Sequence, residues 1–204
     1  MISVLKYRVI FITLLFAIFG QALTRLLEVD EMKTYYQSLA PLLALAVSLL
    51  LAFIIKGRWT QKSRNILKIA ASVLFVFLLI GVFMYTRLFL KATFQFRDEK
   101  GNVAYYVKGD AKSYTQQAIE FRKNNPNLSS DSEMIRMGFE GPHNKRYAWT
   151  EDSISDNILW LITGYCLVVL LFAGLVSLLT EILSLRYSSK KTIPKKKKTE
   201  VINA

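Results

Sequence analysis

The chain contains one cysteine and one histidine in 204 residues. Cys166 has no intrachain partner, so an internal disulfide is impossible. A soluble unit outside the cytoplasm must then fold on its own small core, on the bilayer or on a partner. With His143 as the only imidazole, a structural zinc site built from four Cys or His ligands is not expected. There is no Gly-x-Ser-x-Gly elbow, Walker loop, dinucleotide fingerprint, HExxH pair or EF-hand loop. Nothing in the sequence calls for a cofactor, and no enzyme is expected.

Charge is also missing, locally. The residues are 52% hydrophobic and carry a net charge of +12, with a mean hydropathy of +0.29. The apolar residues are gathered into four blocks, and the charges lie between and after them. A soluble amphipathic helix would interleave the two with a 3.6-residue period. The blocks are about 9–24, 39–55, 69–86 and 158–180, the last being "ILWLITGYCLVVLLFAGLVSLLT". Roughly 17–25 apolar residues span a hydrocarbon core as a helix, and irregular backbone in lipid would leave unpaired polar groups. Pro41 falls in the first turn of the second block, where its missing N–H matters little. The first block has a rival reading as a secretory signal peptide, with small residues at Gly20 and Ala22.

Lysine and arginine set the orientation. Lys6 and Arg8 precede the first block, five basic residues from Lys56 to Lys68 follow the second, and seven from Arg186 to Lys198 follow the fourth. That side carries fourteen basic residues against Glu181 and Glu200, whereas residues 87–156 carry eleven basic and ten acidic residues. The positive-inside rule places the basic side, with both termini, in the cytoplasm. Topology therefore accounts for the high net charge, and no nucleic-acid partner is expected. The run Lys195, Lys196, Lys197 and Lys198 is expected to contact anionic lipids, at about 1 kcal/mol per residue near the surface.

The expected architecture is an α-helical membrane protein. Four transmembrane helices carry a small α+β extracytoplasmic domain inserted between the third and fourth. Residues 1–91 form the N-terminal membrane region, 92–156 the outer domain, 157–184 the fourth helix and 185–204 a basic tail. In the outer domain "ATFQF" and "VAYYV" alternate around Gly101 and read as a β-hairpin. Phe94 and Phe96 share one face of it, as do Val103, Tyr105 and Val107. A helix is expected after Asp110 as its cap, with Ala111, Tyr114, Ala118 and Phe121 at helical spacing, ending at "NNPN". Ser130 to Glu133 is a capping box opening a second helix, which Gly138 closes. "EGP" is a turn, and Thr150 or Ser153 caps the fourth span.

The layout of a short first outer loop and a large second one is similar to that of tetraspanins. Those proteins carry a Cys-Cys-Gly motif and paired cysteines in the large loop, where this chain has no cysteine, so the resemblance assigns no family. Asn127-Leu128-Ser129 is a glycosylation pattern relevant only in a eukaryotic secretory pathway. The lack of outer disulfides favours a bacterial inner membrane. Within the spans only weakly polar residues such as Ser48, Ser72, Tyr85, Thr163 and Tyr165 occur, and Arg87 and Glu181 are expected near the interfaces.

Two functional readings follow. In the first, the outer domain binds a protein partner or ligand through Tyr105, Tyr106, Phe139, His143, Tyr147 and Trp149, since aromatics anchor interfaces. The protein could equally assemble as a homo-oligomer through its spans or outer domain. In the second, several copies form a pore or perturb the membrane. Catalysis by His143, oriented by Asp131, Asp152 or Glu140, is a third and weaker alternative.

Overall fold

A computed structural model of the chain describes Val29 and residues 32–55, 61–97 and 101–190. The elements are α1 (Lys33–Ile55), α2 (Gln61–Ala92), β1 (Thr93–Arg97), β2 (Val103–Val107), α3 (Gln116–Asn124), α4 (Asp131–Gly138), a 3-10 helix (Pro142–Tyr147) and α5 (Glu151–Lys190). The described fold is mostly helical, with one two-stranded antiparallel sheet. Two helices are long and apolar enough to cross a membrane: Asn65–Ala92 within α2 and Glu151–Ile182 within α5. At 1.5 Å per residue they reach about 42 and 48 Å, beyond the ~30 Å of a hydrocarbon core. The second block lies in α1, whose apolar stretch runs Gln37–Leu51. The first block at 9–24, residues 56–60 with Lys56 and Arg58, and the tail with Lys195 to Lys198 lie outside the described residues.

α1 and α2 both pack against α5. Small residues make the contact close: Ala40, Ala44, Ala71 and Ala173 are buried in the helical core. Gly164 lets α5 approach Tyr85, because a Cβ there would stand 3.0 Å from the Tyr85 ring. Polar side chains on these helices, the exposed Ser72 and Thr86 among them, are satisfied within the protein. Ser72 and Thr86 donate to the carbonyls of Lys68 and Val82 one turn earlier, and the Ser48 and Ser177 hydroxyls bond to each other at 3.1 Å. Glu181, expected near an interface, is buried, one turn from the equally buried Ser177.

The hairpin begins at the residue after α2 ends. Thr93 pairs with Val107, Phe94 with Tyr106 and Phe96 with Ala104. The period of two then divides its side chains between two cores. Tyr105 and Val107 turn to the helical bundle, where Tyr105 meets Phe89 with ring centres 5.2 Å apart. Phe94, Phe96 and Tyr106 turn the other way, into the core of the module between α2 and α5, called the outer module after its expected side.

Trp149 is the centre of that second core. It is fully buried, with Phe94 5.8 Å and Tyr114 5.7 Å from its ring. A short antiparallel pairing brackets it: Thr115 donates to Ala148 and Thr150 donates to Ser113, both at 3.0 Å. That pairing also explains why the first outer helix starts late. Residues 113–115 are held extended, so Asp110 does not cap it; α3 begins at Gln116, and the Thr115 hydroxyl accepts from Ala118 N–H. Ala111 and Tyr114 consequently lie outside the helix. Ser130 caps α4 by accepting from Glu133 N–H, but the Glu133 carboxylate reaches one residue further back, to Ser129 N–H and Oγ. α4 runs through Gly138, and the reversal falls on Glu140 and Gly141, both with positive φ. Thr150 immediately precedes α5, while the Ser153 hydroxyl accepts from Asp110 N–H at 2.8 Å.

Gly109 passes directly under the Trp149 ring, and a Cβ there would lie 2.6 Å from the Trp149 Cβ. Gly109→Ala should therefore destabilise the outer module by about 1–3 kcal/mol, the usual range for overpacking a filled core. Faster hydrogen exchange in the hairpin amides, with the amides of α1 unchanged, is the expected readout.

Candidate functional site

The chemistry of the outer module concentrates where α3, α4 and the end of β2 meet. A cleft of about 550 Å³ opens there, lined by Phe94, Gln95, Lys108, Arg122, Ser129, Ser130, Asp131 and Ser132. The strand ends at Val107, which delivers Lys108; the capped first turn of α4 delivers Asp131; the last turn of α3 delivers Arg122. Lys108 Nζ lies 2.5 Å from Asp131 Oδ2. Tyr114 donates its hydroxyl to Asp131 Oδ1 at 2.8 Å. Arg122 donates to the same hydroxyl, stands 3.9 Å from Asp131, and places its guanidinium 4.9 Å from the centre of the Tyr114 ring.

The pattern explains the titration behaviour. Burial by itself would raise the Asp131 carboxyl; the hydrogen bonds from Lys108 and Tyr114 and the charges of Lys108 and Arg122 outweigh it, so Asp131 is held below the usual carboxylate range. Tyr114 is pushed up to about 12, first by burial and then by its bond to the Asp131 carboxylate, against the opposing pull of Arg122. Two cations thus share one anion, and the cluster carries one excess positive charge. Perturbed groups gathered in a cleft are a physical reason to look for function there.

A second groove, of about 440 Å³, lies between α3 and the 3-10 helix. Gln117, Phe121, Gly138, Phe139, Glu140, Asn144 and Tyr147 line it. Phe139 is buried and its ring meets Phe121 at 6.0 Å, whereas Tyr147 is 57% exposed.

The six aromatic and histidine residues expected to meet a partner fall in different places. Tyr147 is open to solvent on the second groove, which Phe139 floors. His143 is exposed and sets its ring edge-on to Tyr106, 6.4 Å away. Tyr106 itself is half-buried in the outer core, and Tyr105 lies against the helical bundle. Trp149 has no exposed surface. Of the carboxylates proposed to orient His143, Asp131 is engaged by Lys108, Tyr114 and Arg122, and Glu140 and Asp152 are exposed. Among the described residues no group of three or more His, Cys, Asp or Glu is placed to hold a metal ion.

Sequence reasoning passed over Lys108, Tyr114 and Arg122 as site residues. Only tertiary folding joins residues 108 and 131, and no local spacing marks such a pair. Comparison with protein-family models, with curated proteins and with solved structures finds no match to this chain.

The two shifts make opposite contributions to the pH dependence of the module's stability. Asp131, held below the ordinary 3.8 of a free carboxyl, contributes stability that is present above that value and lost as pH falls through its folded value. Tyr114 works in the opposite direction: stability is lost as pH rises from 10.0, its unfolded value, towards about 12. Near-UV circular dichroism of the protein in detergent should show a plateau between these limits. Asp131→Asn should remove the acid limb and cost about 2 kcal/mol, the worth of a hydrogen bond to a charged group.

Proposed function

We propose that this chain is a multi-pass protein of a bacterial inner membrane whose outer module recognises a ligand or partner. Four helices span the bilayer, about 9–24, 39–55, 69–86 and 158–180. Both termini are cytoplasmic, and residues 92–156 form a module on the opposite side.

The observation that carries the membrane reading is the surface of α2. Only 6% of its most apolar window is buried against the rest of the protein. Phe83, Met84 and Leu90 are each about two-thirds exposed, at 70%, 65% and 68%. Soluble monomers rarely leave apolar patches larger than a few hundred Å² open to water; hydrocarbon is the solvent that suits this one. Trp160, exposed in the third turn of α5, supports an interfacial level there, since indole rings favour the headgroup region. The orientation rests on the lysine and arginine asymmetry.

Recognition is supported by two preformed grooves on one small module, one ionic and one aromatic. Binding fits these grooves better than catalysis: the only carboxylate of the first cleft is already bonded to a cation and a phenol, and His143 stands outside both. The pore reading gains less support, because Ser48 and Ser177 spend their hydroxyls on each other between α1 and α5.

A photo-crosslinking residue placed at Ser132 or at Tyr147 in cells should yield a discrete adduct, and one placed at the exposed Lys112, away from both grooves, should not. Equal labelling from all three positions, or none from any, would contradict a recognition role.

A further inference from the structure

Lys108 sits where three parts of the fold join. Its N–H donates to the carbonyl of Ala92, the last residue of α2, at 2.9 Å. Its carbonyl accepts from the side-chain amide of Asn157 in α5, at 2.8 Å, and Asn157 is buried. Its ammonium reaches Asp131 in the cleft. One residue therefore touches both apolar helices by its backbone and the cleft by its side chain. Gly109, immediately after it, is wedged under Trp149, so this stretch of backbone shifts only together with its neighbours.

The cleft chemistry says what could disturb that arrangement. Lys108 and Arg122 are served by one carboxylate, and Arg122 stands 3.9 Å from it, bonded instead to Tyr114. A ligand carboxylate would offer nothing that Asp131 does not already supply. A phosphate group carries about −1.5 to −2 charges at neutral pH and three acceptor oxygens, enough to engage both cations at once. Ser132 and Gln95 flank the same space with further polar groups.

We propose that the cleft takes a phosphate-bearing ligand, and that Lys108 transmits its occupancy to the packing of α2 against α5. The proposal rests on the recognition reading above and adds the ligand class and the route of coupling. When phosphate draws the Lys108 ammonium away from Asp131, the backbone at 108 moves with it. The bonds to Ala92 and Asn157 then carry the shift into two helices that run antiparallel through the bundle. Ile69 and Leu179 lie far along these helices from the cleft, and both are exposed, which suits them to report it.

The test uses the full chain in nanodiscs with Cys166→Ala and spin labels on Ile69→Cys and Leu179→Cys. Inorganic phosphate is titrated against chloride at constant ionic strength. Phosphorus-31 line broadening reports binding, and pulsed electron paramagnetic resonance reports the distance between labels. Phosphate should broaden its line and shift the distance distribution. Lys108→Met should lose both effects, Lys108→Arg should keep them, and Asn157→Ala, which cuts the link to α5 and leaves the one to Ala92, should keep the broadening while reducing the shift. A shift produced by adding anionic lipid to zwitterionic discs, without free phosphate, supports the proposal with a lipid headgroup as the source. Binding with unchanged distances, or a shift of undiminished size in Asn157→Ala, overturns the coupling and leaves the cleft as a binding site. No binding by phosphate or by anionic lipid overturns the ligand assignment, whereas loss of the crosslinks at Ser132 and Tyr147 would remove the recognition reading beneath it.

Discussion

The outer module has no linkers. Ala92 closes a helix and Thr93 opens a strand; Thr150 leaves the outer core and Glu151 begins the next helix. Everything between these points must be built on two fixed helix ends, and the backbone bonds from Lys108 to Ala92 and from Asn157 to Lys108 hold those ends together. A salt bridge between Lys91 and Asp110 spans the same seam, though both side chains are well exposed and the pair adds little.

This constraint also answers how so small a unit folds without a disulfide. About 60 residues bury too little surface for a comfortable margin. Here the hairpin is covered on both faces. Phe94, Phe96 and Tyr106 join Trp149, Met134 and Ile135 on one side; Tyr105 and Val107 join Phe89 and Leu161 on the other. The module thus shares one face of its hairpin with the helices that carry it. In the cleft beside the outer core, the Lys108–Asp131–Tyr114–Arg122 cluster ties α3, α4 and the strand end with directional bonds that packing alone would not specify. Among the described residues, the one buried side-chain nitrogen or oxygen left without a hydrogen bond is Nε1 of Trp149. Its burial is the cost of placing the largest side chain at the junction of four elements.

Local patterns carried much of this into the sequence. Alternation in "ATFQF" and "VAYYV" specified the hairpin and which residues share a face, because the period of two leaves no other arrangement. The serine at 130 announced a helix, and apolar blocks without charges announced α2 and α5. Signals that depend on distant partners were silent. Asp110 looks like a helix cap, and only the pairing of residues 113–115 with 148–150 keeps the helix from starting there. Trp149 looks like an interface anchor in a polar-flanked stretch, and only the converging Phe94, Tyr114 and Gly109 bury it completely. The ion pair at the centre of the cleft joins residues 23 positions apart, so nothing in the local spacing foretold it.

The reading of grooves, coupling and orientation stands on which side of the bilayer the module occupies. A membrane-impermeant maleimide applied to intact spheroplasts, in a Cys166→Ala background, measures this directly. Met137→Cys, exposed on α4, should be labelled at once, and Thr60→Cys, in the basic stretch between the second and third apolar blocks, only after lysis. Labelling of Thr60→Cys in intact spheroplasts, with Met137→Cys protected until lysis, would contradict the proposed topology.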